Sequence, residues 1–152
     1  MLRILSGLYL LALAIWVGTL IFHSFVVAPA VFRTLPQATA GEVVSRIFPT
    51  YYAIGYVCGA LTFILPWLVG GKEAGWRWAS MIAGGMLACT LLAGTVIHPR
   101  ASALRGKLIS APAESPERAQ FRQLHRSAVI LNLLVLSGGL VLVGIVSRQL
   151  RW

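Results

Sequence analysis

The chain has 152 residues, of which 58% are hydrophobic and 11% charged, and it carries a net charge of +9. That composition excludes an ordinary soluble domain and points to a small polytopic membrane protein with no room for a soluble catalytic domain in its loops. The positive charge is the kind that sets loop orientation and meets anionic headgroups, so nucleic acid is not expected as a partner.

Four runs without Lys, Arg, Asp or Glu fill most of the chain: Ile4–Phe32, Tyr51–Val69, Ala79–Ile97 and Ser127–Val146. Each is about the length that crosses a hydrocarbon core of roughly 30 Å, which takes about 20 helical residues. The fold class expected is all-α, a four-transmembrane-helix bundle forming one integral membrane domain over residues 1–152. Its spans fall at about 5–32, 50–69, 78–98 and 125–147. The first run is too long for a signal peptide and lacks a small-residue cleavage site, so it reads as a retained span.

Pro29 falls near the end of span one, where a kink is tolerable. In loop one, Val43, Val44, Ile47 and Phe48 share a helical face, while Glu42 and Arg46 pair at i,i+4 on the other. This pattern predicts a short helix lying in the interface. Pro49 then opens span two, with Tyr51 and Tyr52 as interfacial aromatics. The short turn Gly70–Arg77 makes spans two and three antiparallel neighbours, and Trp67, Trp76 and Trp78 form an aromatic belt around it. Span three is expected to end near His98-Pro99. In the last loop, Ser115 suits a helix N-cap, Pro116 the first helical position and Glu117 the positive end of the dipole. Helix four therefore starts outside the membrane and enters it near Arg126.

Small residues recur at four-residue spacing: Ala14/Gly18, Gly55/Gly59, Gly84/Ala88 and Gly85/Cys89. They let helices approach inside the bundle, or offer a face to a homodimer or a membrane-protein partner. Cys58 and Cys89 lie in separate spans and read as packing residues. Arg33, Arg46, Arg100, Arg105, Lys107, Arg118, Arg122 and Arg126 lie on the side of loops one and three; Arg3, Lys72, Arg77, Arg148 and Arg151 lie on the other. That bias of 8 against 5 puts loops one and three in the cytoplasm, in what is expected to be a bacterial inner membrane.

All three histidines gather at the loop-one/loop-three end. His23 lies about two and a half turns before the end of span one, above Thr19 and Trp16 on its face. His98 ends span three, with Gly94 and Thr95 beneath it and Gly94 leaving space for a flat or bulky group. His125 opens span four, with Asn132 two turns below on the same face. Three readings fit these residues. In one, histidines ligate a b-type haem between facing helices and arginines, Arg100 and Arg126 foremost, pair with its propionates. In another, His23, His98 and His125 hold zinc or copper. In the third, no cofactor binds: His98 and His125 are comfortable interfacial imidazoles and His23 bonds a neighbouring carbonyl.

The chain contains no Asp, and Glu42, Glu73, Glu114 and Glu117 are all in loops. A proton-coupled exporter normally needs an intramembrane carboxylate. No Ser/His/Asp set, phosphate-binding glycine loop or carboxylate pair is present, so the residues suit a ligand-binding role better than catalysis. The leading expectation is a small integral membrane binding protein using His23, His98, His125, Arg100, Arg126 and Asn132. The alternatives are an accessory or assembly subunit of a membrane complex, or a small-solute transporter with a cavity lined by Asn132, Thr95 and Thr19.

Several segments in order carry a likeness: Trp16-Val17-Gly18, Phe25 through Ala28-Pro29 to Phe32, Ala40-Gly41-Glu42, Phe48-Pro49-Thr50-Tyr51-Tyr52, His98-Pro99-Arg100, and Leu124-His125-Arg126-Ser127 leading to Asn132. Together they resemble the uncharacterised four-span membrane family related to the cisplatin-resistance-associated transmembrane protein. The resemblance covers nearly the whole chain. It implies a helical membrane protein with no assigned activity, in which His125 and Asn132 match the last-helix pattern and His23 replaces an apolar residue. The Trp-x-Gly start is more distantly similar to the copper-resistance D proteins and the haem-containing protoporphyrinogen oxidases, by fold-level analogy.

Overall fold

The computed structural model describes residues 2–70, 73–108, 111–112 and 114–149. Lys72 and Arg151, counted above for orientation, lie outside the described residues. The described chain is helical, with no strand among its residues. Four helices are long and apolar enough to cross a membrane: α1 (Leu2–Thr34), α2 (Gln37–Gly70), α3 (Ala74–Leu108) and α4 (Pro116–Gln149). Each packs on the next, and α4 closes back on α1.

The helices run 33 to 35 residues, about 50 Å at 1.5 Å per residue. That exceeds the hydrocarbon core by about 20 Å, and the surplus lies mainly at the loop-one/loop-three end. Three expectations change there. The loop-one segment is helical as predicted and keeps its Glu42–Arg46 ion pair at 2.8 Å, but it is no separate interfacial helix. It runs unbroken into span two, with Pro49 inside α2 rather than at its start. Nor does span three end at His98-Pro99: α3 continues ten residues past His98, to Leu108.

A proline inside a helix lacks an N–H and crowds the carbonyl four residues back. α1 and α3 absorb this with a π turn, His23–Val27 before Ala28-Pro29 and Ala93–Ile97 before His98-Pro99. The Ala28 N–H donates to the His23 carbonyl and the His98 N–H to the Ala93 carbonyl, each five residues back. Widening the turn lets the helix carry on past the ring.

The start of α4 is as predicted. Ser115 precedes it, and the Arg118 N–H lies 3.3 Å from the Ser115 hydroxyl, a capping bond. The Arg118 side chain donates to the carbonyls of Leu108, Ala111 and Pro112 at 3.0–3.2 Å, tying the end of α3 to the start of α4.

Lipid supplies little hydrophobic drive between helices, so close packing and satisfied polar groups hold the bundle. Tyr9, Leu13, Trp16 and Leu20 of α1 meet Cys58 and Leu65 of α2, Ala79, Ala83 and Met86 of α3, and Val135, Leu142 and Val146 of α4. A Cβ on Gly59 would sit 2.9 Å from both Trp16 and Leu87, and one on Gly55 would sit 2.9 Å from Thr90. The Gly55/Gly59 pair therefore serves the internal bundle. Ala14 and Gly18 instead face outward, with open space beside Gly18. The buried Thr62 and Thr90 hydroxyls donate to carbonyls of their own helices at 2.6 and 2.9 Å, while Ser80 reaches across to the Phe63 carbonyl at 3.0 Å. Trp67 and Trp78 are exposed, as a belt requires, but Trp76 is turned inside against Tyr9, ring to ring at 5.6 Å.

Candidate functional site: a histidine-bearing aromatic cluster

A second packed cluster lies at the loop-one/loop-three end, centred on Tyr51, Tyr52 and Ala93 with Phe48, Tyr56 and Leu131 around it. It exists because α2 places Phe48, Tyr52 and Tyr56 at four-residue intervals, one above another on the same face. Phe48 stacks on Tyr52 with centroids 5.6 Å apart, and Tyr52 stacks on Tyr56 at 6.3 Å. Gly94 lies within the α3 π turn opposite this column; a Cβ there would come within 2.7 Å of the Tyr52 ring and would also strike the Tyr56 hydroxyl. The space expected beneath His98 is thus filled by the protein's own tyrosines.

Phe48 is the meeting point of two histidines. His23 is buried, with its ring 5.2 Å from Phe48 and 4.9 Å from Tyr51. His98 is half-buried, 5.1 Å from Phe48 and 5.8 Å from Tyr52. The Tyr51 hydroxyl donates to Asn132 Oδ1 at 3.4 Å, a long bond that ties α2 to α4. Asn132 therefore faces the bundle, as a polar residue in a span should.

His98 also lines a pocket of about 40 Å³ between α2, α3 and α4. Phe48 and Tyr52 form its α2 wall, Ile97, His98, Ala101 and Arg105 its α3 wall, and Phe121, Leu124, His125 and Ala128 its α4 wall. Each of the last two sets recurs at three- and four-residue steps, so each is one face of a helix. His125 is exposed and stacks parallel to Phe121, centroids 6.5 Å apart.

The structure thus brings His98 and His125 to one pocket and leaves His23 outside it. Among the described residues no group of three His, Cys, Asp or Glu side chains could hold a metal ion, and the three-histidine set does not close on one point. Arg100 and Arg126 are exposed, and neither lines the pocket. Thr19, Thr95 and Asn132 do not line it either; Thr95 is exposed and donates to the Leu91 carbonyl at 2.7 Å.

Arg105 is the basic residue in the wall, and histidine-adjacent reading missed it. Its guanidinium carbon lies 5.5 Å from the Phe121 ring centroid, a cation–π contact. One terminal nitrogen donates to the Gly41 carbonyl, while the buried Nε has no hydrogen-bond partner among the described residues. Gly41 is what admits it, since a Cβ there would stand 2.6 Å from Nη1. The signal was available in the seven-residue step from His98 to Arg105, once α3 is known to pass Pro99.

A second, open depression lies on the surface near the far end of α4. Val141, Gly144, Ile145 and Arg148, all from that one helix, line it, and no histidine is near.

A family model described as a domain of unknown function, DUF4149, matches residues 11–110. The chain is also 28% identical over 143 residues to an uncharacterised protein of Aquifex aeolicus (strain VF5), covering 93% of this chain and 97% of that one. No solved structure matches.

Proposed function

The chain belongs to the DUF4149 family, whose description assigns no activity, and we propose that it is a small integral membrane binding protein with its ligand site in the loop-end pocket. The observation that carries this reading is the convergence of His98 from α3 and His125 from α4 on one cavity walled by aromatic rings. Two imidazoles offer nitrogen ligands to a bound group, and the guanidinium beside them offers charge to an anionic part of it.

Two occupants follow from the histidines. A zinc or copper ion would take His98 and His125 as its protein ligands, with water in the remaining positions. A b-type haem would use the same histidines, with Arg105 beside a propionate, but ligand pockets of that kind run to about 300 Å³ or more, and the pocket of about 40 Å³ does not fit it as it stands. Arg100 and Arg126 would then act from the rim. His23, packed behind Phe48, belongs to the frame of the site in either case.

The rest of the reading is of a bacterial inner-membrane protein with loops one and three in the cytoplasm, kin to the cisplatin-resistance-associated transmembrane proteins. The basic bias of the loops and the ordered motifs support it. An accessory or assembly subunit is the second reading, and the outward-facing Ala14 and Gly18 favour it.

The test is the visible spectrum, oxidised and reduced, of protein purified gently in detergent, together with its metal content. Haem predicts a Soret band with sharp reduced bands, and a metal ion predicts stoichiometric zinc or copper. Either signal should vanish in His98→Ala and His125→Ala. A featureless spectrum with blank metal analysis would overturn histidine ligation and favour the accessory subunit.

A further inference from the structure

Arg105 presents a charge without an answer. It is half-buried, and among the described residues the one ion pair is Glu42–Arg46, so no carboxylate neutralises it. Its Nε is buried and unpartnered, a costly state for a charged donor. Phe121 covers the guanidinium and the Gly41 carbonyl fixes it, so its position is set while its charge is not compensated. The three other titratable groups in the wall, Tyr52, His98 and His125, can each donate a hydrogen bond, and none is a carboxylate.

The place of the pocket narrows the ligand. The third hydrophobic run ends at Ile97 and the fourth begins at Ser127, so His98, Ala101, Arg105, Phe121 and His125 stand at the level where a span meets water. In a bilayer that level holds the phosphates of the lipid headgroups, and basic pockets between spanning helices take them up. The volume of about 40 Å³ admits a small group of a few heavy atoms, since about 10–15 Å³ on the same measure holds one water.

From these observations we propose that the pocket receives the phosphate oxyanion of an anionic lipid headgroup, with Arg105 as its principal charge partner and His98 and His125 as neighbouring donors. The inference rests on the reading of this pocket as the ligand site, but it requires no haem or metal. Gly41 leaves room for the guanidinium against α2; a Cβ there would make the free end of Arg105 shift.

The experiment follows thermal unfolding of the full chain in neutral detergent during titration with phosphatidylglycerol, phosphatidylcholine or inorganic phosphate. Native mass spectrometry counts the bound lipid. Wild type should be stabilised by phosphatidylglycerol and not by phosphatidylcholine. Arg105→Gln should weaken that response about tenfold or more, as loss of a charged hydrogen-bond partner does, and Arg33→Gln, an exposed arginine of α1 outside the pocket, should keep it. Arg105→Met, of similar length and without charge, should also weaken the response and stands in if Arg105→Gln fails to fold. An unchanged phosphatidylglycerol response in the Arg105 variant that folds would overturn the proposal. An equal response to inorganic phosphate alone would overturn the lipid as source and keep the oxyanion. A blank metal and haem analysis would remove histidine ligation without affecting this readout.

Discussion

In α1 the π turn covers His23–Val27 and leads into Ala28-Pro29; in α3 it covers Ala93–Ile97 and leads into His98-Pro99. The backbone problem and its solution are the same: the residue before each proline bonds five residues back, and the helix continues. The difference lies in where the histidine stands. His23 is the first residue of its π turn and is buried against Phe48 and Tyr51. His98 directly follows its π turn and reaches both Phe48 and the pocket. Ser24 is the second residue of one turn and Gly94 of the other, and Gly94 is pressed by Tyr52 and Tyr56. One distortion thus holds a histidine inside the frame, while the other delivers one to a cavity.

The sharpest way to break this comparison is to remove each histidine in turn. If the proposed metal or haem binds in the pocket, His98→Ala and His125→Ala should each lower its affinity by about 100-fold. His23→Ala should leave the ligand in place and lower the unfolding temperature instead. Equal loss of ligand in all three would mean that the two histidine environments are one site.

Next in size is the glycine of the second turn. Gly94→Ala should destabilise the bundle by about 1–3 kcal/mol through overpacking against Tyr52 and Tyr56, read by equilibrium unfolding in mixed micelles. Ser24→Ala in the first turn should fall within about 0.5 kcal/mol of wild type. A smaller difference follows from the prolines. Pro99→Ala removes the reason for the second π turn; closing it to a regular helix would rotate Ala101 and Arg105 relative to Tyr52. Ligand and phosphatidylglycerol responses should fall severalfold, whereas Pro29→Ala should leave both unchanged. The smallest effect belongs to Tyr51→Phe, which breaks a long bond to Asn132 and should cost about 0.5 kcal/mol, measurable by the same unfolding assay.

Charge-free length made the four spans legible in the sequence, and the Ser115 cap was legible because its signal is local. The continuity of α2 through Pro49 and of α3 past Pro99 was not. A proline is a local stop signal, and what overrules it is packing by neighbouring helices, together with the π turn in α3. The same gap hid the site. Arg100 and Arg126 stand beside histidines in the chain, but helical geometry turns both outward and brings Arg105 round to the His98 face instead. Trp76 was misplaced for a related reason: membership in an aromatic belt follows from level in the membrane, whereas Tyr9 supplies an inward partner that hydropathy does not see. Convergence of the histidines at one end was readable; which two share a pocket depended on the rotation of helices whose phase the prolines had obscured.

Unbroken helix across the edge of the membrane also decides where the chain can change length. Arg105 reaches the cavity because it stands seven residues, two turns, after His98 on one continuous α3. Inserting a single residue between them would swing the guanidinium by about 100° around the axis, away from Phe121 and Gly41. The same insertion between Leu108 and Pro116, where α3 and α4 are separate, would loosen the Arg118 link but rotate neither face. Natural length variation at this end should therefore be confined to the breaks between helices, at Leu35-Pro36 and between Leu108 and Pro116, leaving the intervals within each helix to behave as fixed rulers.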